Sequence, residues 1–278
     1  MKSRRASRAF TLVELLTVIG IIILIAALVA PVITNFRKGD AMLAATRQMI
    51  DAVHRGRQLA ISQHTTVYMV FAPSTLWTDN NYLNLLNSGS LTPLEKRNAT
   101  NALDKQQTGY VYVSLRTVGD QPGRGQPRYL SQWQTLPDSS FIPSWKFTTV
   151  NPVQIKDIPA GRTYDVKRFD YVNFVPFPSE DAFYKTPLPA FPDFACIAFD
   201  YLGRLVDVNT KQPLGHDEYI PLAHGSVMPA RDPTTRALQL AAPAETEVPP
   251  GNSTGVSFNL IHIDWLTGRA RLEHQEVR

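Results

Sequence analysis

The amino-terminal part of the chain shows two hydrophobic patterns in succession. Residues 15–36 carry no charged side chain, and a helix needs roughly 20 apolar residues to cross the hydrocarbon core of a bilayer. Beyond them the pattern becomes amphipathic, with apolar residues recurring near helical spacing. We therefore predict one long helix over residues 10–63, transmembrane over about 10–36 and amphipathic over 37–63.

The amphipathic half of this helix has a charged face and a defined end. Arg47, Asp51 and Arg55 follow one another at spacings of four residues, which places them on one solvated face. β-Branched residues follow His64, so we expect the helix to end near Ser62 or Gln63. The opposite, apolar face consists of Met42, Ala45, Met49, Val53, Leu59 and Ala60.

Residues 64–278 are predicted to form a β-rich domain. Short apolar segments alternate with Gly, Pro, Asn or Asp, and no second long helical pattern occurs. We predict an α+β fold in which an antiparallel sheet packs on the helix, with Pro-rich insertions near 72–108, 151–193 and 228–254. The predicted strands are 66–71, 110–117, 145–149, 171–174, 194–199, 219–222, 256–264 and 269–273.

Positive charge is concentrated at the start of the chain. The formal net charge is +4, and the first nine positions hold four basic residues and no acid. Without these four, 24 of the 28 basic residues remain, which equals the 24 acidic residues. Nucleic acid is therefore not an expected partner. A basic arm before an apolar span predicts a single-pass inner-membrane protein with a cytoplasmic amino terminus and a periplasmic domain.

Glu14 interrupts the apolar segment and requires an explanation. An ionised carboxylate in a membrane span costs about 2–3 kcal/mol, and such residues usually have a partner or a function. Phe10 lies four residues earlier, on the same helical face. If the chain were cut before Phe10, the new amine of one subunit could pair with Glu14 of a neighbouring subunit.

The residues around Glu14 also carry a family resemblance. The stretch from Arg8 to Leu15, Arg-Ala-Phe-Thr-Leu-Val-Glu-Leu, resembles the cleavage and methylation motif of type IV prepilins. In that family a prepilin peptidase cuts immediately before the Phe and methylates the new amine, and a Glu occupies the fifth mature position. The resemblance thus covers both the processing site and the acidic residue.

Several residue roles follow from this resemblance. It implies that residues 1–9 are a basic leader peptide, that cleavage falls between Ala9 and Phe10, and that Phe10 becomes N-methylated. It also implies that Glu14 guides assembly. Ala9 departs from the Gly that usually precedes the cut. Pro31 lies where these proteins commonly kink their long helix.

The function implied by the resemblance is structural. The chain would be a minor pilin or pseudopilin in a type II secretion pseudopilus or a type IV pilus-like fibre, with a pilin-like fold. Its partners would be the prepilin peptidase, the membrane and other subunits, which it contacts through the helix. Local stretches at 57–71, 197–204 and 267–269 resemble H-type minor pseudopilins and FimT-like minor pilins. A membrane-anchored envelope protein that is never processed is an alternative.

A second alternative is a DNA-uptake or adhesion pilin that binds a ligand through exposed loops. The segment Gly268-Arg269-Ala270-Arg271 resembles the basic hairpin through which FimT-like pilins are thought to contact DNA. Arg269 and Arg271 are the candidate contact residues. The simpler interpretation is a solvated hairpin tip, in which Gly268 supplies the positive φ of a tight turn.

Candidate catalytic and metal-binding motifs are scarce. The sequence contains no Gly-rich phosphate loop, no Gly-x-Ser-x-Gly elbow and no His-Glu-x-x-His, so we expect neither an enzyme nor a cofactor. Asp200, Asp207 and Asn209 offer oxygen ligands to calcium, although their spacing fits no dedicated loop. Adjacent side chains in the segment 216–218, His-Asp-Glu, point to opposite faces if it is extended. Cys196 is expected to be a buried strand thiol.

Overall fold

The chain divides into two units, Met1–Ala41 and Met42–Arg278, and a helix crosses the boundary between them. The computed structural model describes residues 12–116, 125–157, 160–185, 191–255 and 258–274. Within these ranges, side chains are described for all residues except 26–40 and 274.

Helices and strands alternate irregularly over the described residues. The helices are α1 (Leu12–Gln63), α2 (Asn80–Asn87), α3 (Pro93–Asn101), α4 (Trp145–Thr148) and α5 (Ala182–Lys185). The strands of the first half are β1 (Val67–Phe71), β2 (Gly109–Ser114), β3 (Arg128–Tyr129), β4 (Gln134–Thr135), β5 (Ser140–Phe141), β6 (Val153–Asp157) and β7 (Arg162–Val166). The others are β8 (Asp170–Val172), β9 (Phe194–Phe199), β10 (Leu205–Val206), β11 (Glu218–Met228), β12 (Ala244–Glu247), β13 (Asn259–Ile263) and β14 (Ala270–His274).

The transmembrane prediction requires a correction. Among the residues that the structure describes, no helix combines the length and the apolar character needed to cross a membrane. The predicted span over 10–36 and the single-pass inner-membrane location are therefore wrong.

Within the described residues the strands form three antiparallel sheets instead of the single sheet expected from the sequence. The first sheet has the order β10-β9-β1-β2-β3, with β4 beside β2 and β8 beside β9. The second has the order β12-β11-β13-β14, with β5 beside β11, and the third is the hairpin β6-β7. The sequence correctly indicates an α+β composition with antiparallel pairing.

Both faces of the first sheet are covered by apolar side chains. Along β1 the residues alternate between two clusters, as strand geometry requires. Val67, Met69 and Phe71 join Ala45, Met49, Val53 and Ala60 of α1 in the main core. Tyr68 and Val70 face a second cluster that includes residues of α2. This double burial explains why β1 reads as an uninterrupted apolar segment.

The predicted insertions contain regular structure. The stretch 72–108 includes α2 and α3, 151–193 includes the β6-β7 hairpin, β8 and α5, and 228–254 includes β12. The predicted strand 145–149 is wrong, because Trp145–Thr148 forms the one-turn helix α4. Lys146 and Phe147 are both buried, which neighbouring residues of a half-buried strand cannot achieve on one face.

Candidate assembly surface

The start of α1 exposes a continuous apolar surface, which we call the assembly surface and define as residues 12–25. Eleven large apolar side chains in it are between 46% and 79% exposed. Thr17, one of its two polar residues, donates its hydroxyl to the carbonyl of Val13 at 2.8 Å, so it is satisfied within the helix. The exposed side chains are Leu12, Val13, Leu15, Leu16, Val18, Ile19, Ile21, Ile22, Ile23, Leu24 and Ile25.

Such a surface has a clear physical meaning. Full burial of one Leu or Ile side chain contributes about 1.5–3 kcal/mol. Contiguous apolar patches larger than a few hundred Å² are rare on monomers and mark interaction sites. Covering the assembly surface with another molecule therefore lowers the free energy.

Glu14 is the other polar residue of the assembly surface. It lies in the first turn of α1 and its side chain is exposed. A carboxylate in the first turn of a helix also interacts favourably with the helix dipole. Ala9 and Phe10, the predicted processing residues, lie outside the described residues. Pro31 falls within α1, in the stretch where the backbone alone is described.

Arg269 and Arg271 flank a surface cleft at the β13-β14 hairpin. The cleft has a volume of about 520 Å³ and is also lined by Asp217, His262 and Asp264. Arg271 donates its Nε–H to Glu273 Oε1 at 2.8 Å. One arginine is thus paired with a carboxylate, and two further carboxylates line the same cleft, an arrangement that opposes the binding of phosphate groups.

His262 is a residue that sequence reasoning did not connect to the cleft. Its Nε2 lies 2.8 Å from Asp217 Oδ2 and its Nδ1 lies 3.4 Å from Glu273 Oε1. Tyr164 donates its hydroxyl to Glu273 Oε2 at 3.1 Å. Burial alone would raise the pKa of Glu273, but the Tyr164 hydrogen bond and the charge of Arg271 hold this pKa below its ordinary value. Tyr164 of β7 and Asp217 lie far in sequence from His262 and Glu273 of the β13-β14 hairpin, so local patterns could not reveal this network.

The candidate calcium ligands serve as turn caps. Asp200 accepts hydrogen bonds from the backbone of Leu202 and Arg204 and pairs with the Arg204 guanidinium at 2.8 Å. Asp207 accepts from the backbone of Asn209 and Thr210. No group of three or more His, Cys, Asp or Glu side chains suited to a metal ion occurs in the described part of the chain. The carboxylates of Asp200 and Asp207 are thus engaged in hydrogen bonds with their own turns.

Adjacent side chains in the segment 216–218 point in opposite directions, as in an extended chain. Asp217 faces the cleft, whereas Glu218 points inward and contacts Lys146. Cys196 is a buried free thiol in β9, and burial raises its pKa. It is therefore a poor nucleophile at neutral pH.

Comparison with known proteins found no matching family model, no similar curated protein and no similar solved structure.

Proposed function

We propose that this chain is a minor pilin or pseudopilin, a structural subunit of a type II secretion pseudopilus or a type IV pilus-like fibre. The observation that carries the proposal is the assembly surface, eleven exposed apolar side chains on one helix. A fibre built on a bundle of such helices would bury these side chains against those of neighbouring subunits. The prepilin-like sequence from Arg8 to Leu15 supports the same assignment.

The two parts of α1 differ in their need for a partner. From Ala45 onward, α1 contributes buried side chains to the main core, and Ile50 and Leu59 pack partly buried against it. The side chains of residues 12–25 are exposed, and only association can bury them. This division fits a subunit whose folded domain is preformed and whose helix start mediates assembly.

Processing prepares the helix start for assembly in this proposal. A prepilin peptidase cuts between Ala9 and Phe10, removes the basic leader and methylates the amine of Phe10. The new amine then pairs with Glu14 of a neighbouring subunit. Between apolar helices this pair is strong, because each charge would be costly to bury alone.

The ligand-binding alternative has weaker support. Arg271 is already paired with Glu273, and Asp217 and Asp264 line the same cleft as Arg269. A nucleic-acid phosphate would have to displace or approach these carboxylates. We therefore assign the cleft no role in the proposed function.

Disulfide cross-linking in the producing cells tests the proposal. Ile19→Cys places a thiol on the assembly surface, and Val150→Cys is the matched control, since Val150 is 76% exposed outside it. Cys196 is buried and will not compete. We expect oxidised homodimers, or mixed disulfides with a partner carrying the equivalent cysteine, for Ile19→Cys only, and less cross-linking when Glu14→Ala is added.

Mass spectrometry of the amino-terminal peptide provides the second readout. The proposal predicts a chain that starts at methylated Phe10. A retained Met1, together with equal cross-linking of the Ile19→Cys and Val150→Cys variants, would show that the chain is not a processed fibre subunit.

A further inference from the structure

Lys146 places a primary amine in the interior of the domain. Its side chain has no exposed surface, and the side chain of its partner Glu218 is 9% exposed. The Nζ atom donates to Glu218 Oε1 and to the backbone carbonyl of Lys167. Lys146 lies in α4 and Glu218 begins β11, so the contact joins elements separated by 72 positions in sequence.

Aromatic side chains surround this amine. Its Nζ atom lies 4.3 Å from the ring centroid of Phe169. Phe169 in turn packs on Phe147 and Phe71, with ring centroids 5.4 Å and 4.7 Å away. All three rings belong to the main core. Water is therefore largely excluded from one side of the amine and the carboxyl group.

Burial favours the uncharged form of the Lys146 amine. Burial lowers the pKa of Lys146, although the charge of Glu218 opposes this effect. Condensation requires the ammonium proton to move to the carboxyl oxygen, and the hydrogen bond from Nζ to Glu218 Oε1 provides the path for this transfer. A desolvated lysine amine is a nucleophile that proteins use for covalent chemistry.

We propose that Lys146 and Glu218 condense to an internal amide cross-link between Nζ and Cδ. The neutral amine attacks the carboxylic carbon, so the N–C bond forms as the bond from Cδ to the hydroxyl oxygen breaks. One amine proton passes to that oxygen, and one water molecule leaves. No oxidant or reductant takes part. The fixed contact between the groups replaces the encounter that makes amide formation slow in solution.

Two further groups act on the amine. The carbonyl of Lys167 accepts a hydrogen bond from the amine and orients its lone pair. Asp170 lies close enough for its charge to act on both Lys146 and Glu218. The neutral amide removes two buried ions from the core.

The cross-link would fasten the second sheet to α4. Closing a long loop covalently reduces the conformational freedom of the unfolded chain, as a disulfide does. The chain contains one cysteine, so an intramolecular disulfide cannot provide this constraint. The proposal stands independently of the fibre assignment, because it concerns the folded domain of a single chain.

Intact-mass and peptide mass spectrometry of the purified full-length chain, denatured before measurement, tests the cross-link. We expect a mass lower by one water molecule and a branched tryptic peptide that joins Lys146 to Glu218. Lys185 and Glu95 are the internal control, since they form an ion pair of 2.6 Å on the surface, where Lys185 is 36% exposed. Their peptides should remain separate.

The Lys146→Arg variant places a guanidinium at this position, which stays protonated and cannot condense. We expect this variant to have the full mass calculated from its sequence. Full mass in the wild-type chain, with separate peptides for Lys146 and Glu218, would overturn the proposal, and so would water loss that maps to other residues. These readouts do not involve assembly, so they succeed or fail independently of the fibre assignment.

Discussion

Gly268 shows how one residue controls the contact between two turns. It has a φ of +61° in the β13-β14 hairpin, and a Cβ atom there would lie 2.0 Å from the carbonyl oxygen of Gly203. Gly203 belongs to the turn between β9 and β10, with a φ of +80°. The two turns can therefore approach this closely only because Gly268 carries no side chain.

Two glycine substitutions distinguish the cost of a left-handed backbone conformation from the cost of the steric clash at Gly268. Gly215 has a φ of +74° and open space around its missing Cβ, so Gly215→Ala should cost about 1–2 kcal/mol of unfolding free energy from the left-handed conformation. Gly268→Ala should cost a further 1–3 kcal/mol, approximately, from the clash. Urea unfolding of both variants measures the difference. Equal losses of unfolding free energy in the two variants would show that the Gly203 carbonyl moves aside freely.

At the scale of the element, α3 illustrates a local signal that our sequence-based prediction missed. Thr92 caps the helix, Pro93 occupies its first turn, and Glu95 completes a capping box. Glu95 Oε2 accepts from the Thr92 backbone at 2.8 Å, and Lys185 of α5 donates to Glu95 Oε1 at 2.6 Å. The Thr-Pro-Leu-Glu pattern is a known helix start and could have predicted α3 within the supposed insertion.

The capping box predicts a pH dependence of stability. Hydrogen bonds from Lys185 and Thr92 lower the pKa of Glu95 from its ordinary 4.5 to about 2. Because the folded-state pKa is lowered, the stabilisation is fully present above pH 4.5 and is lost as the pH falls toward 2. Wild-type and Glu95→Gln chains should therefore converge in unfolding free energy over this interval. A difference that does not change with pH would contradict the assignment.

At the scale of the whole molecule, the folded domain contains its own core. The three apolar clusters among the described residues begin at Ala45 and extend to Ile263, and the partly buried residues packed on them begin at Met42. Every one of these side chains lies in the unit Met42–Arg278. The stability of the domain should consequently be a property of that unit.

A truncated chain of residues 42–278 tests this division. It should unfold cooperatively in urea, with an unfolding free energy within about 0.5 kcal/mol of the full chain, the range usual for changes outside the core. It should also lose the self-association that the assembly surface causes, as sedimentation can measure. Loss of cooperative unfolding would show that the domain depends on residues before Met42.

Features that depend on neighbouring residues could be predicted from the sequence. The helical pattern indicates an end near Gln63, where α1 ends, and the predicted strand 194–199 coincides with β9. The turn at Gly268 follows from its backbone freedom. Each of these features depends on side-chain periodicity or φ preference over a few residues. The cleavage between Ala9 and Phe10 remains a prediction from sequence.

Features that depend on distant residues were decided by the tertiary structure. The segment of α4 has strand-like composition but forms a helical turn, because this turn buries both Lys146 and Phe147. Arg271, predicted as a ligand contact, pairs with Glu273, and His262 lies between Asp217 and Glu273. Arg271 and Glu273 are near neighbours on β14, whereas His262 of β13 meets Asp217, which lies 45 positions earlier in the chain. Local propensity is worth tenths of a kcal/mol per residue, and the burial of one large side chain outweighs it.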